Sequence, residues 1–78
     1  MHTRTLNIRT LKHFILLCET LNFGRASRRA NISTSALSRN IGQLETALNT
    51  SLFDRDNRTV ELTLEGQKFQ RYARDAVQ

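Results

Sequence analysis

A polar stretch between residues 32 and 45, with the sequence ISTSALSRNIGQLE, carries side chains whose spacing suits binding. Ser35, Ser38 and Arg39 recur at a spacing that places them toward one side of a helix. A serine hydroxyl donates and accepts hydrogen bonds, and an arginine guanidinium can bind a phosphate or a guanine edge through two parallel hydrogen bonds. The pattern indicates nucleic-acid recognition, although a merely solvated helix face would carry the same residue types.

The charge of the whole chain favours the same partner. Its 78 residues include 12 Lys and Arg against 7 Asp and Glu, for a formal net charge of +5 at pH 7, and ten of those twelve are Arg. A small domain with this excess of positive charge suits the phosphate backbone of nucleic acid. Charge alone also leaves open a surface that is basic without binding DNA or RNA.

Catalytic and metal-binding functions find little support in the residue pattern. His2 and His13 have no Cys or carboxylate partner at a metal-binding spacing. The serines at positions 33, 35 and 38 have no supporting His and Asp, and there is no glycine-rich phosphate loop. We therefore expect a protein that is not an enzyme and that uses no cofactor.

The single cysteine and the hydropathy of the chain bear on its compartment. Cys18 lies on an apolar helix face, which indicates a core residue rather than a reactive thiol. One cysteine cannot form an internal disulfide, which favours a reducing compartment. No segment approaches the roughly 20 apolar residues of a membrane span, and the N-terminus has no signal-peptide core. We expect a cytoplasmic protein without membrane contact.

Three helices are predicted to position the polar stretch. Hydrophobic periodicity predicts helices over residues 8–20, about 23–30 and about 34–48. In the third helix the apolar side chains fall on the side opposite Arg39. The residues predicted to cap or end these helices are Asn22, Asn31, Ser33 and Asn49.

The hydrophobic periodicity changes from that of a helix to that of strands after the third helix. Residues 52–55 and 59–62 are predicted to form two short strands, joined by a turn over 56–58, which gives a small β-hairpin, or wing. Thr63 is the expected cap of a fourth helix that runs to the end of the chain. The predicted fold is mainly α, a winged helix-turn-helix over residues 1–62 followed by a C-terminal linker helix over residues 63–78.

The fourth helix carries an apolar stripe of its own. Because the three-helix core is expected to be closed without it, we expect this stripe to be exposed and to serve as a surface for a partner. The stripe consists of Phe69, Tyr72, Ala73, Ala76 and Val77.

Several segments together resemble the N-terminal DNA-binding domain of the LysR-type transcriptional regulators of bacteria. Residues 8–14 resemble the opening helix of that family, and residues 22–27 resemble its "SFtrAA" segment. Within residues 32–45, Ile32-Ser33, Ala36 to Arg39, Ile41 and Leu44-Glu45 follow its "vSqpAlSrqIrqLE" run. Leu52 to Arg55 resembles its "LFxR", and Leu62-Thr63 with Gly66 resembles its "LTxaG". The match covers about residues 8 to 78 in one register.

The resemblance implies a function and a set of partners. It implies a third helix that enters the major groove of double-stranded DNA, a wing that reaches the minor groove, and a homodimer on an inverted repeat, formed through the fourth helix. It also implies a larger C-terminal domain, absent from this chain, that binds a small-molecule effector. The residues expected to contact DNA are Arg25, Thr34, Ser35, Ser38, Arg39, Arg55 and Arg58.

The chain departs from the family pattern at several positions near this surface. Thr34 and Ser35 stand where the family often has Gln and Pro, so the base preference is expected to differ. Gly42 stands where many members have Arg or Lys, and Gly24 replaces a frequent Thr. Asn49 replaces a helix-ending Gly, which Asn can do because it tolerates the left-handed conformation.

Glu45, Phe23 and Phe53 are predicted to have structural roles, and the function has one alternative. Glu45 is expected to form a structural ion pair rather than a contact with cytosine, and Phe23 and Phe53 are expected to be core residues. The alternative function is a winged-helix module that binds proteins without specific DNA binding. In that case Arg39 and Arg58 would be dispensable.

Overall fold

Four helices and one two-stranded hairpin make up the part of the chain that the computed structural model describes, residues 7–56 and 59–77. The strands pair antiparallel, with Phe53 opposite Leu62 and Asp54 opposite Glu61. The observed order is that of a winged helix-turn-helix followed by a C-terminal helix, as the sequence predicts. The elements are α1 (Ile8–Thr20), α2 (Phe23–Ala30), α3 (Thr34–Leu48), β1 (Phe53–Asp54), β2 (Glu61–Leu62) and α4 (Leu64–Val77).

Short polar side chains set the helix boundaries. Asn22 and Ser33 each accept a hydrogen bond from the backbone N–H three residues later, at 2.8 and 3.0 Å, and so cap α2 and α3. Asn31 and Asn49 end these helices in the left-handed conformation, with φ of 60° and 55°. All four predicted roles are confirmed. Leu21 ends α1 in the same conformation, at φ 52°, although leucine is less suited to it.

α1 packs against each of the other three helices, and the core lies between them. The stripe predicted for α3, Leu37, Ile41, Leu44 and Leu48, packs on the core: the first three are completely buried and Leu48 is partly buried against them. Phe14 of α1 lies at the centre, with its ring centroid 5.5 Å from that of Phe53. The remaining buried apolar residues are Leu11, Leu17, Cys18, Ala26, Leu52 and Ala73.

The predicted strands are longer than the observed ones. Residue 52 lies before β1 because the Leu52 N–H donates to the carboxylate of Glu45 at 2.8 Å rather than to a strand. The Leu52 carbonyl accepts from the N–H of Thr63, the residue that precedes α4. Thr63 caps that helix as predicted, since its hydroxyl accepts from the Gly66 N–H at 2.9 Å.

The prediction that the whole apolar stripe of α4 is exposed was wrong. Ala73 is completely buried, and the ring of Phe69 packs edge-on against Phe14 at 5.1 Å between centroids. The reason is that α1 carries apolar residues around much of its circumference, so one of its sides stays open for α4 after α3 has packed. The fourth helix thus shares the core of the other three, and a division of the chain after residue 62 stays a prediction.

Cys18 lies in this core, as expected. Burial raises the pKa of its thiol to about 12, so the thiol is uncharged and unreactive at neutral pH. Among the helices within residues 7–56 and 59–77, none combines the length and the apolar content needed to cross a membrane.

A buried histidine connects α1 to α3. The Nδ2 atom of Asn40 lies 3.2 Å from Nδ1 of His13, whose side chain is almost fully buried. Because an amide nitrogen only donates, this contact favours the neutral form of the His13 ring, with Nδ1 as the acceptor. Burial, and to a lesser extent the positive charge of Arg9, lower the pKa of His13 below its usual 6.5.

We expect the free energy of unfolding to fall as the pH is lowered from about 7 toward 5. Because the pKa of His13 is lower in the folded state than in the unfolded state, the unfolded chain binds a proton more readily. The stabilising contribution of the neutral His13 to folding is therefore present above pH 6.5 and is lost as the pH falls below it. Urea unfolding at several pH values measures the slope. The variant His13→Gln should have a shallower slope over this range, and an equal slope would contradict the assignment.

Candidate nucleic-acid interface

The first two turns of α3 present a continuous polar surface. Thr34, Ser35, Ser38 and Arg39 are all exposed there, and we call these four residues the polar face. The opposite side of the helix is anchored by completely buried apolar residues, among them Leu37. The helix is therefore held firmly from behind, and its polar face is open to a partner along the length of these turns.

The turn between α2 and α3 fixes the start of the polar face. The hydroxyl of Ser27 donates to the Gly24 carbonyl at 2.9 Å and lies 3.1 Å from the hydroxyl oxygen of Thr34. The Ser27 carbonyl also accepts from the Ile32 N–H at 3.0 Å. Ser27, which is buried, thus ties both ends of the turn together. Sequence reasoning did not identify it; the only signal was a serine where the family motif has its second alanine.

A groove between α1 and α3 extends the surface beyond the polar face. It is open to solvent, has a volume of about 1020 Å³, and brings Arg9 of α1 to the same concavity as Arg39 of α3. Gly42 is one of its lining residues, and an added Cβ there would meet no other described part of the chain within 4 Å beyond its own helix backbone. Arg9 was not among the residues predicted to contact DNA. The other residues that line the groove are Asn7, Thr10, Asn40, Gln43, Thr46 and Ala47.

Glu45 holds the wing against the end of α3. One carboxylate oxygen accepts from the backbone N–H groups of Leu52 and Phe53, at 2.8 and 3.2 Å, and the other accepts from Arg55 at 3.0 Å. The predicted structural ion pair is confirmed. The Arg55 guanidinium also lies 5.2 Å from the centre of the Phe23 ring, where a cation–π contact is favourable.

The remaining arginines predicted to contact DNA have different positions. Arg55 is engaged by Glu45 and Phe23, so its contacts are those of a structural residue, and its contact with DNA stays a prediction. Arg25 is exposed at the start of α2. Arg58 lies outside the described residues. Of the two expected core residues, Phe53 is buried, and Phe23 is half-buried against the core.

The exposed part of α4 forms a second, more apolar surface. Tyr72 is 53% exposed and its ring lies 5.3 Å from that of Phe69. Both line a shallow groove of about 310 Å³ with Leu48 and Leu52. Of the other residues predicted for dimerisation, Ala76 is exposed, Val77 is half-buried, and Ala73 is inaccessible to a second chain.

Comparisons with known proteins relate this geometry to function. The family model described as "Bacterial regulatory helix-turn-helix protein, lysR family" matches residues 8–67. The chain is 43% identical over 72 residues to the HTH-type transcriptional activator IlvY of Salmonella typhimurium. That match covers 92% of this chain but only 24% of the relative, so the chain spans about a quarter of the relative's length.

Solved structures share the fold. A crystal structure of Vibrio fischeri DarR in complex with DNA superposes with a TM-score of 0.87 at 34% identity, over 91% of this chain and 24% of that one. A BenM_DBD/benA site 1 DNA complex superposes with a TM-score of 0.86 at 34% identity, over 91% of this chain and 80% of that one. Both similar structures contain DNA.

Proposed function

Because the chain belongs to the LysR family of bacterial helix-turn-helix regulators and is a DNA-binding domain rather than an enzyme, we propose that it reads a specific double-stranded sequence. In this proposal the first turns of α3 enter the major groove. The exposed polar face on a helix that is buried from behind is the observation that carries the proposal. Short hydroxyl side chains allow close approach to base edges, and Arg39 reaches a guanine or a phosphate.

Positively charged side chains outside the polar face support contacts with the DNA phosphates on both sides of the major groove. Arg9 shares the α1–α3 groove with Arg39, and Arg25 is exposed at the start of α2. In our proposal these side chains bind phosphates, and Arg58 enters the minor groove at the wing. Such contacts orient the domain, while the polar face selects the sequence.

We further propose that two copies bind an inverted repeat, with α4 of each copy at the interface. The groove beside Tyr72 offers an apolar surface next to the core, and tyrosine is a common anchor of interfaces. A two-fold dimer would match a two-fold repeat in DNA. For the whole regulator, which we place in the cytoplasm, the proposal adds a C-terminal domain that binds a small-molecule effector.

Arg39→Ala is expected to weaken specific DNA binding by roughly ten- to a hundredfold, since a good bidentate contact contributes about 1–3 kcal/mol. Arg71→Ala removes the same charge from an exposed position on α4 and serves as the matched control. Fluorescence anisotropy on a selected duplex gives the affinities, and circular dichroism verifies the fold. Equal losses in both variants would show that net charge alone acts.

Arg58→Ala should weaken binding to all sequences more uniformly.

Sedimentation over a wide range of concentrations is expected to reveal a monomer–dimer equilibrium, because the exposed apolar surface of α4 is small. Tyr72→Ala should raise the dissociation constant of the dimer by about tenfold or more. Ile8→Ala truncates another half-exposed apolar residue, on α1, and should leave the equilibrium unchanged. A single species at all concentrations would argue against dimerisation through α4.

A further inference from the structure

A chain of two hydrogen bonds behind the polar face determines whether the Thr34 hydroxyl can donate to a ligand. Ser27 has a single hydroxyl hydrogen, and it donates this hydrogen to the Gly24 carbonyl at 2.9 Å. The oxygen of Ser27 therefore acts as acceptor in its 3.1 Å contact with Thr34. The hydroxyl hydrogen of Thr34 then points inward, to Ser27.

This arrangement leaves the outward side of the Thr34 oxygen with lone pairs only. Thr34 is exposed at the first position of α3, where a recognition helix meets base edges. In the major groove, the exocyclic amino groups of adenine and cytosine are hydrogen-bond donors, whereas guanine O6 and thymine O4 are acceptors. An oxygen without a free hydrogen can bind only the amino groups.

We propose that Ser27 is a positioning residue that fixes Thr34 as a hydrogen-bond acceptor, and that Thr34 consequently selects adenine or cytosine over guanine or thymine. The inference rests on the proposed function, since it requires α3 to read the major groove. It goes beyond that function because it assigns a base class to one side chain and a role in specificity to a residue that no ligand would touch.

The neighbouring pair of hydroxyls on the same turn shows why Thr34 is distinct. Ser35 and Ser33 lie 3.3 Å apart, and Ser33 already accepts a hydrogen bond from the Ala36 N–H. Either of the two serines can donate to the other, so Ser35 retains the freedom to donate or accept. The buried Ser27 removes that freedom from Thr34 alone within this turn.

The test begins with selection from a random duplex pool, using the chain itself and its Thr34→Val and Thr34→Ser variants. Valine keeps the shape of threonine without the oxygen, and serine keeps the hydroxyl without the methyl group. The position that Thr34 reads is the one at which valine, but not serine, relaxes the base preference. At this position we expect adenine or cytosine on the contacted strand.

The second step deletes the amino group from that base, with purine in place of adenine or 2-pyrimidinone in place of cytosine. We expect the affinity of the unmodified chain and of Thr34→Ser to fall roughly three- to tenfold. Deletion of the amino group can also change the stability of the duplex, and that effect is the same for every protein variant. Beyond that shared effect, the affinity of Thr34→Val should change by less than about twofold. Ser27→Ala, which frees the Thr34 hydrogen, should accept guanine or thymine at this position while remaining folded.

The outcomes separate the two proposals. If the unmodified chain selects no sequence, the proposed function fails and the inference fails with it. If a sequence is selected but guanine or thymine occupies the position, the inference alone is overturned. The inference alone is also overturned if deletion of the amino group lowers the DNA affinity of the unmodified chain and of Thr34→Val equally, or if Ser27→Ala leaves the base preference unchanged.

Discussion

Gly66→Ala is expected to destabilise the domain by about 3 kcal/mol or more, a large part of the total stability of so small a domain. Gly66 lies in the first turn of α4, where a Cβ atom would overlap the carbonyl oxygen of Leu52 and lie 2.8 Å from a methyl group of Leu62. The obstacle is backbone, so no side-chain rotation relieves it. Moving that backbone would also strain the hydrogen bond between the Thr63 N–H and the Leu52 carbonyl.

Gly42→Ala is the matched control for this substitution. Gly42 is also helical, has no unusual backbone conformation, and would bring its new Cβ within 4 Å of nothing. Alanine there should increase the free energy of unfolding by about 0.5–1 kcal/mol, through helix propensity alone. Urea unfolding followed by circular dichroism measures both effects. Similar small changes in the two variants would show that α4 does not pack on the hairpin as described.

Glu45→Ala is expected to destabilise the domain by about 2–4 kcal/mol and to misplace the wing. The substitution leaves the N–H groups of Leu52 and Phe53 without their acceptor and Arg55 without its counter-charge. The Glu45 side chain is only 14% exposed, so water replaces these contacts poorly. DNA affinity should fall as well, even at temperatures where the variant is folded.

Glu65→Ala controls for the loss of a negative charge. Glu65 pairs with Lys68 at 3.9 Å on a well-exposed part of α4, and such pairs contribute about 0–1 kcal/mol. Glu45→Gln, which keeps an oxygen acceptor, should lose an amount of stability between those of Glu45→Ala and Glu65→Ala. Thermal unfolding gives the stabilities and anisotropy gives the DNA affinities. A Glu45→Ala variant as stable as Glu65→Ala would contradict the role assigned to Glu45.

The helices of the core could be predicted from sequence almost residue by residue. Their limits depend on local chemistry, since Asn22 and Ser33 cap the starts and Asn31 and Asn49 end the helices in a conformation that asparagine tolerates. The polar face followed from the periodicity of α3, because one buried stripe fixes which side is exposed. Local and short-range signals therefore carried most of the fold.

Features that depend on contacts between elements could not be predicted in the same way. The periodicity of α4 showed an apolar stripe but not its partner, which proved to be α1, where Phe69 packs against Phe14. The contact between Ser27 and Thr34 depends on the angle between two helices. The engagement of Arg55 by Glu45 depends on the path of the chain after α3. A charged residue near a turn looks the same in sequence whether it binds DNA or supports the wing.

The central claim, that this domain reads a DNA sequence, is tested most directly by fluorescence anisotropy of the chain on two duplexes of equal composition. One carries an inverted repeat of the type expected for the family, and the other carries the same bases scrambled. At about 150 mM salt, where nonspecific binding is weakened, we predict binding to the repeat that is tighter by more than about tenfold, or ~1.4 kcal/mol. Equal and weak binding to both duplexes would contradict the claim and would reduce the role of the domain to that of a basic surface.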